Sequence, residues 1–102
     1  MEIFVQRKHI EAGHKHSCRS CPVALALLEI CGDKIRNVDV DYETIWITPR
    51  DAPGSAQETQ FDTPERAERF MRNFDERRAR RRPFRFVLPG LEDLLSAVSS
   101  ES

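Results

Sequence analysis

Two histidines and two cysteines fall close together in the chain, as His14, His16, Cys18 and Cys21, spaced H-x-H-x-C-x-x-C. Zinc accepts imidazole and thiolate in tetrahedral sites, and C-x-x-C is a usual half-site. Four ligands on so short a loop make a tight chelate, whereas structural zinc sites draw their second pair from farther along. His9 and Cys31 are the reserves. The same "CRSC" suits thiol redox chemistry, because a helix beginning at Cys21-Pro22 would favour a thiolate at its positive end. In such redox sites, however, the first cysteine opens the helix, and here the second does. A third reading needs no ligand: Cys21 is a small N-cap, Cys31 a core residue behaving as a small hydrophobe, and the histidines are solvated. We expect the third, with zinc on His14, His16, Cys18 and Cys21, or thiol redox on the same loop, as the alternatives.

The other chemistry-bearing stretch is "ERRARRR", which contributes Arg77, Arg78, Arg80, Arg81 and Arg82. From Pro64 to Arg85 nine arginines oppose Glu65, Glu68, Asp75 and Glu76, which is 9 − 4 = +5. The whole chain carries −1, so the remainder carries −6. A basic strip neutralises phosphates whatever the base sequence. Arginine at a helix C-terminus also simply complements the helix dipole. No aromatic residue interleaves the run as in single-strand binders. The expectation is an exposed, solvated helix end, with nucleic-acid binding or contact with an acidic face of a second copy as alternatives. Catalytic signatures are missing: there is no G-x-S-x-G, no H-E-x-x-H and no glycine-rich phosphate loop, with only 4 glycines in all. The sequence points away from an enzyme.

These residues must be carried on a small set of elements. "EIFVQ" is a β-prone opening, and "HIEAG" a helical turn closed by Gly13. The clearest helix follows: Cys21 or Ser20 at its N-cap, Pro22 at the tolerated first position, and Gly32 just past its end. Between them "VALALLEIC" is apolar all round except Glu29, so this helix belongs in an interior, covered on several sides. "KIRNVDVDYETIWITP" reads as a hairpin with "DYE" at the turn, Val38, Val40, Ile45 and Ile47 on one face and Trp46 on the other. "RDAPGSAQETQ" reads as a polar loop. Asp62 or Thr63 caps a second helix whose Ala67, Phe70, Met71 and Phe74 form one apolar stripe. "FRFVL" is a last strand, and "LEDLLSAV" places Leu91, Leu94, Leu95 and Val98 at helical spacing. "SSES" should fray.

The order β-α-β-β-α-β plus a short C-terminal helix predicts an α+β fold. In it a small, mainly antiparallel sheet carries the buried helix. With 102 residues there is room for a single domain, a core over 1–88 and an amphipathic tail over 89–102. That tail is too short to be helical alone, so it docks on its own domain or on a partner, and a homodimer is one solution. The longest apolar run, Pro22–Leu28, cannot span a bilayer. "MEIFVQRKH" lacks the layout of a secretory signal, and 3 cysteines do not make a disulfide framework. We therefore expect an intracellular, thiol-reducing setting.

"CPVALAL" (21–27), then "RFMRNFD" (69–75) leading to "PFRF" (83–86), resemble a group of small uncharacterised actinobacteriophage and actinobacterial proteins with a Cys-Pro-capped apolar helix. The likeness spans most of 1–88. It implies a phage or prophage setting in the cytoplasm of a GC-rich host, and an accessory protein that binds a host protein, another macromolecule or a small signalling molecule. The surfaces expected to bind are Trp46, the strip Arg77, Arg78, Arg80, Arg81 and Arg82, and the apolar side formed by Leu91, Leu94 and Leu95.

Overall fold

A computed structural model describes residues 1–14, 17, 19–50, 58–76 and 82–97. The element order is β1 (Glu2–Val5), α1 (Arg7–Ala12), α2 (Pro22–Cys31), a 3-10 turn (Gly32–Lys34), β2 (Ile35–Val40), β3 (Thr44–Pro49), β4 (Thr59–Asp62), α3 (Glu65–Asp75), β5 (Phe84–Val87) and α4 (Leu91–Ala97). The result is the α+β fold expected, with its antiparallel strands divided between two small sheets rather than gathered into one.

The first sheet joins the two ends of the core: β1 pairs antiparallel with β5, Ile3 opposite Phe86 and Val5 opposite Phe84. Alternation puts Ile3, Val5, Phe86 and Leu88 inside, and Phe4 and Val87 outside. The second sheet runs β2-β3-β4. Val38 faces Ile47 and Val40 faces Ile45, while Ile45 faces Phe61 across the other edge. Strand β4 lies partly in the stretch that the sequence marks as loop and takes in Asp62; neither Asp62 nor Thr63, the two expected caps of α3, is its N-cap, which is Pro64. "TQFD" contains one apolar residue, so its alternation was too faint to register as a strand. Pairing with β3 and the docking of Phe61 on the core stabilise it.

Helix α2 starts and stops where its residues require. The Cys21 sulfur accepts the Ala24 N–H at 3.5 Å, Pro22 occupies the first turn, and the Gly32 N–H donates to the Leu28 carbonyl. Gly32 has φ +59° and ψ −136°, a region that only glycine enters without strain. Val23, Ala24, Ala26 and Leu27 are fully buried against β1, β2, α1 and α3. The helix is not enclosed all round, as its composition suggested: Leu28, Glu29 and Ile30 form an outer strip. Helix α4 docks on its own domain, with Leu91 and Leu95 in the core and Leu94 packed at its margin. Of the two fates open to the tail, the structure shows the first. No helix among the described residues is long and apolar enough to cross a membrane.

Candidate functional site

The His/Cys loop is held closed at its base. The His14 N–H donates to the Ser20 carbonyl at 2.8 Å, and the Ser20 N–H donates to the Ser17 hydroxyl. Gly13 lies so close to Pro22 that a Cβ there would stand 2.6 Å from the ring. His14 is exposed, and Cys21 is buried at the N-cap of α2. His16 and Cys18 lie outside the described residues, so the four proposed zinc ligands are not seen together. Among the described residues, no group of three or more His, Cys, Asp and Glu side chains converges as a metal site would require. Burial raises the Cys31 thiol to about 11, so it stays protonated at neutral pH, as suits a core residue.

Beside that loop is a cavity of about 200 Å³ that the sequence did not suggest. Its floor is Cys21, Val40 and Met71, from α2, β2 and α3. Its polar rim is Ser17, Asp41, Tyr42 and Asp75. The Tyr42 hydroxyl donates to the Asp75 carboxylate, and that bond, with some burial, raises the phenol to about 12. The Arg72 guanidinium stands 4.4 Å from the Tyr42 ring centre and pairs with Glu68 at 2.9 Å. The β2–β3 turn is fixed in turn by the Asp41 carboxylate, which accepts the Tyr42 N–H, and by the Asp41 carbonyl, which accepts the Thr63 hydroxyl.

A second recess, shallow and about 380 Å³ in volume, opens between α3 and the start of β5. Phe70 and Phe84 stack at 4.6 Å between ring centres, and each continues into a buried neighbour, Phe74 and Phe86. Phe70, Phe84 and Pro83 supply an apolar floor, and Arg66, Arg69 and Asn73 supply donors around it. Arg69 pairs with Glu65 at 3.1 Å, both side chains largely exposed, which is a weak tie that another anion can displace. Arg66 donates to the Arg85 carbonyl at 3.1 Å, which anchors its guanidinium at the rim.

The other expected surfaces are placed as follows. Arg82 is exposed beside Pro83, whereas Arg77, Arg78, Arg80 and Arg81 lie outside the described residues. Trp46 is half-buried on the outer face of the β2-β3-β4 sheet, between Asp39 and Gln60 on the neighbouring strands. Leu91 and Leu95 belong to the core and are not a free surface. The sequence places Phe70 in the apolar stripe of α3 and shows no aromatic residue interleaved in the basic run. The tertiary pairing of α3 with β5 brings Phe84 to Phe70 and both to Arg66 and Arg69. A signal was present in the "PFRF" that follows the basic run, where one phenylalanine borders it.

Comparison with known protein families, with curated proteins and with solved structures gives no match in any of the three.

Proposed function

We propose that this protein acts by binding rather than by catalysis, and that its partner is a nucleic acid held on the α3–β5 face. The observation that carries the reading is the placing of Arg66 and Arg69 around an apolar floor of Phe70, Phe84 and Pro83. Guanidinium groups bind phosphate through paired N–H donors. An apolar, aromatic floor beside them accepts a base, and Asn73 can hydrogen-bond a base edge. One recess thus offers something to each part of a nucleotide. The stretch that joins α3 to β5 is "RRARR" followed by Arg82, so the sequence concentrates further positive charge between the two elements that line the recess. A base needs to be unstacked to reach such a floor, so a single strand is favoured over a duplex. The phage-type resemblance sets this activity in the cytoplasm of a bacterial host.

The test is a titration of a fluorescent single-stranded oligonucleotide with the full chain, in parallel with the Arg66→Ala/Arg69→Ala double variant. The expected result is saturable binding by the parent, at least tenfold weaker in the variant, with an unchanged circular dichroism spectrum. Equal affinity of parent and variant, or no binding by the parent at low salt, contradicts the reading.

A further inference from the structure

The outer face of the β1–β5 sheet carries Phe4, Arg85 and Val87, none of which lines the α3–β5 recess. We propose that this face is a second nucleotide subsite, onto which the single strand held in the recess continues. This deepens the nucleic-acid reading and rests on it.

Recess and sheet face meet along β5. Pro83 lines the recess, and Arg85 and Val87 follow it at alternate positions, so the side of the chain that Pro83 turns to the recess leads on to the outer face of the sheet. Arg66, at the rim of the recess, donates to the Arg85 carbonyl at 3.1 Å, which ties that rim to the strand bearing Arg85. Across the sheet Arg85 stands opposite Phe4, and its guanidinium lies over the Phe4 ring, 4.8 Å from the ring centre. The water-facing side of an antiparallel sheet ordinarily carries polar residues. Here Phe4 is 38% exposed and Val87 55% exposed.

Ring and guanidinium together suit one nucleotide. An unstacked base packs on an aromatic ring or on an arginine plane, and the guanidinium N–H groups bind the neighbouring phosphate. The contact with the Phe4 ring holds the Arg85 head on the sheet, so less side-chain freedom is lost when the base arrives. Glu2 reaches Arg85 only at 4.0 Å, with both side chains 60% exposed, a weak tie that a phosphate displaces. A purely apolar partner would cover Arg85 and Glu2 and give their charges nothing in return. A nucleotide offers a flat apolar surface to Phe4 and Val87 and an anion to Arg85.

The experiment titrates a short fluorescent oligothymidylate with the full chain at low salt, beside Phe4→Leu, Phe4→Trp and Arg66→Ala/Arg69→Ala. Leucine keeps an apolar side chain but loses the ring, and tryptophan restores a stacking face. The expected result is at least fivefold weaker binding by Phe4→Leu, the low end of what stacking one base contributes. Phe4→Trp should bind at least as tightly as the parent. Its added indole fluorescence should be quenched as an unlabelled oligothymidylate saturates it, with Trp46 in the parent as the baseline. If Phe4→Leu fails to fold, that quenching decides. Parent-like affinity in folded Phe4→Leu, with binding still lost in Arg66→Ala/Arg69→Ala, overturns the second subsite and leaves the recess standing. No binding by the parent overturns both. A dimer of the parent that Phe4→Leu dissociates, seen by native mass spectrometry, also overturns the proposal, because a second copy then covers the face.

Discussion

His9 shows how a residue can be decisive without being conspicuous. It is 5% exposed, with both ring nitrogens engaged: Nδ1 accepts the Gln6 N–H at 2.9 Å, and Nε2 lies 2.8 Å from Glu29. Since Nδ1 accepts, the proton sits on Nε2 and is donated to the carboxylate. Lys8 binds the other oxygen of Glu29, so the single charge of α2 ties that helix to α1. Replacing His9 by alanine should cost about 1–3 kcal/mol, read as a fall in the urea midpoint, because it removes both bonds and leaves a void. The hydrogen bonds from Lys8 and then His9 hold the Glu29 carboxyl below its ordinary value of 4.5. A depressed carboxyl contributes stability that is present above its unfolded value and is lost as pH falls through the folded one. Glu29→Gln should therefore flatten the acid limb of the Tm-against-pH curve below about pH 5, with little change in slope from pH 6 to 8. Tyr42 acts in the opposite direction. Its phenol is raised from 10.0 to about 12, so its contribution is full below pH 10 and fades as pH rises towards 12. Tyr42→Phe should flatten the alkaline limb. His9 was legible only as a spare histidine, because the carboxylate that engages its ring, Glu29, lies twenty residues away in the chain.

At the scale of elements, the parts most legible in the sequence are those governed by local rules. Cys21, Pro22 and Gly32 delimit α2 because a cap, a ring-locked first turn and a positive φ are each a property of one residue. No atom lies within 4 Å of a Cβ built on Gly32, so Gly32→Ala strains only the backbone. The expected loss is about 1 kcal/mol. Gly13 is glycine for a different reason. Its φ is an ordinary −74°, and the obstacle is Pro22 at 2.6 Å, so Gly13→Ala should cost about 1–3 kcal/mol by overpacking. Thermal melts of the two variants test this contrast. If bulk is the obstacle, Gly13→Ala is the more damaging despite its unremarkable backbone. Strand β4 was missed because its evidence is non-local, in the register of Thr59 against Ile47 and Phe61 against Ile45. Helix α4 was found by its leucine spacing, but spacing says which face is apolar and not what covers it.

Across the whole molecule, charge is distributed unevenly: +5 over Pro64–Arg85 against −6 elsewhere, by the count 9 − 4 and a total of −1. That segregation was readable from the sequence. The recess beside Arg66 and Arg69 was not, because the two phenylalanines that floor it sit on different elements and meet only when α3 packs beside β5. The same reason hid the Tyr42–Asp75 cavity, whose lining comes from the β2–β3 turn, α2 and α3. The His/Cys cluster drew attention for the opposite reason, being dense in sequence, yet its visible part is a clamped turn and a helix cap. Binding of a single-stranded oligonucleotide to the α3–β5 face is the central claim, and its salt dependence tests it most directly. Each phosphate neutralised by arginine releases condensed counterion, lowering log K by about 0.7 per unit of log salt for a single strand. With Arg66, Arg69 and part of the adjoining basic run engaged, the plot of log K against log salt should fall with a slope near −2 or steeper. In Arg66→Ala/Arg69→Ala the slope should become shallower by about 1 or more. A flat plot, or a slope identical in parent and variant, would contradict the account.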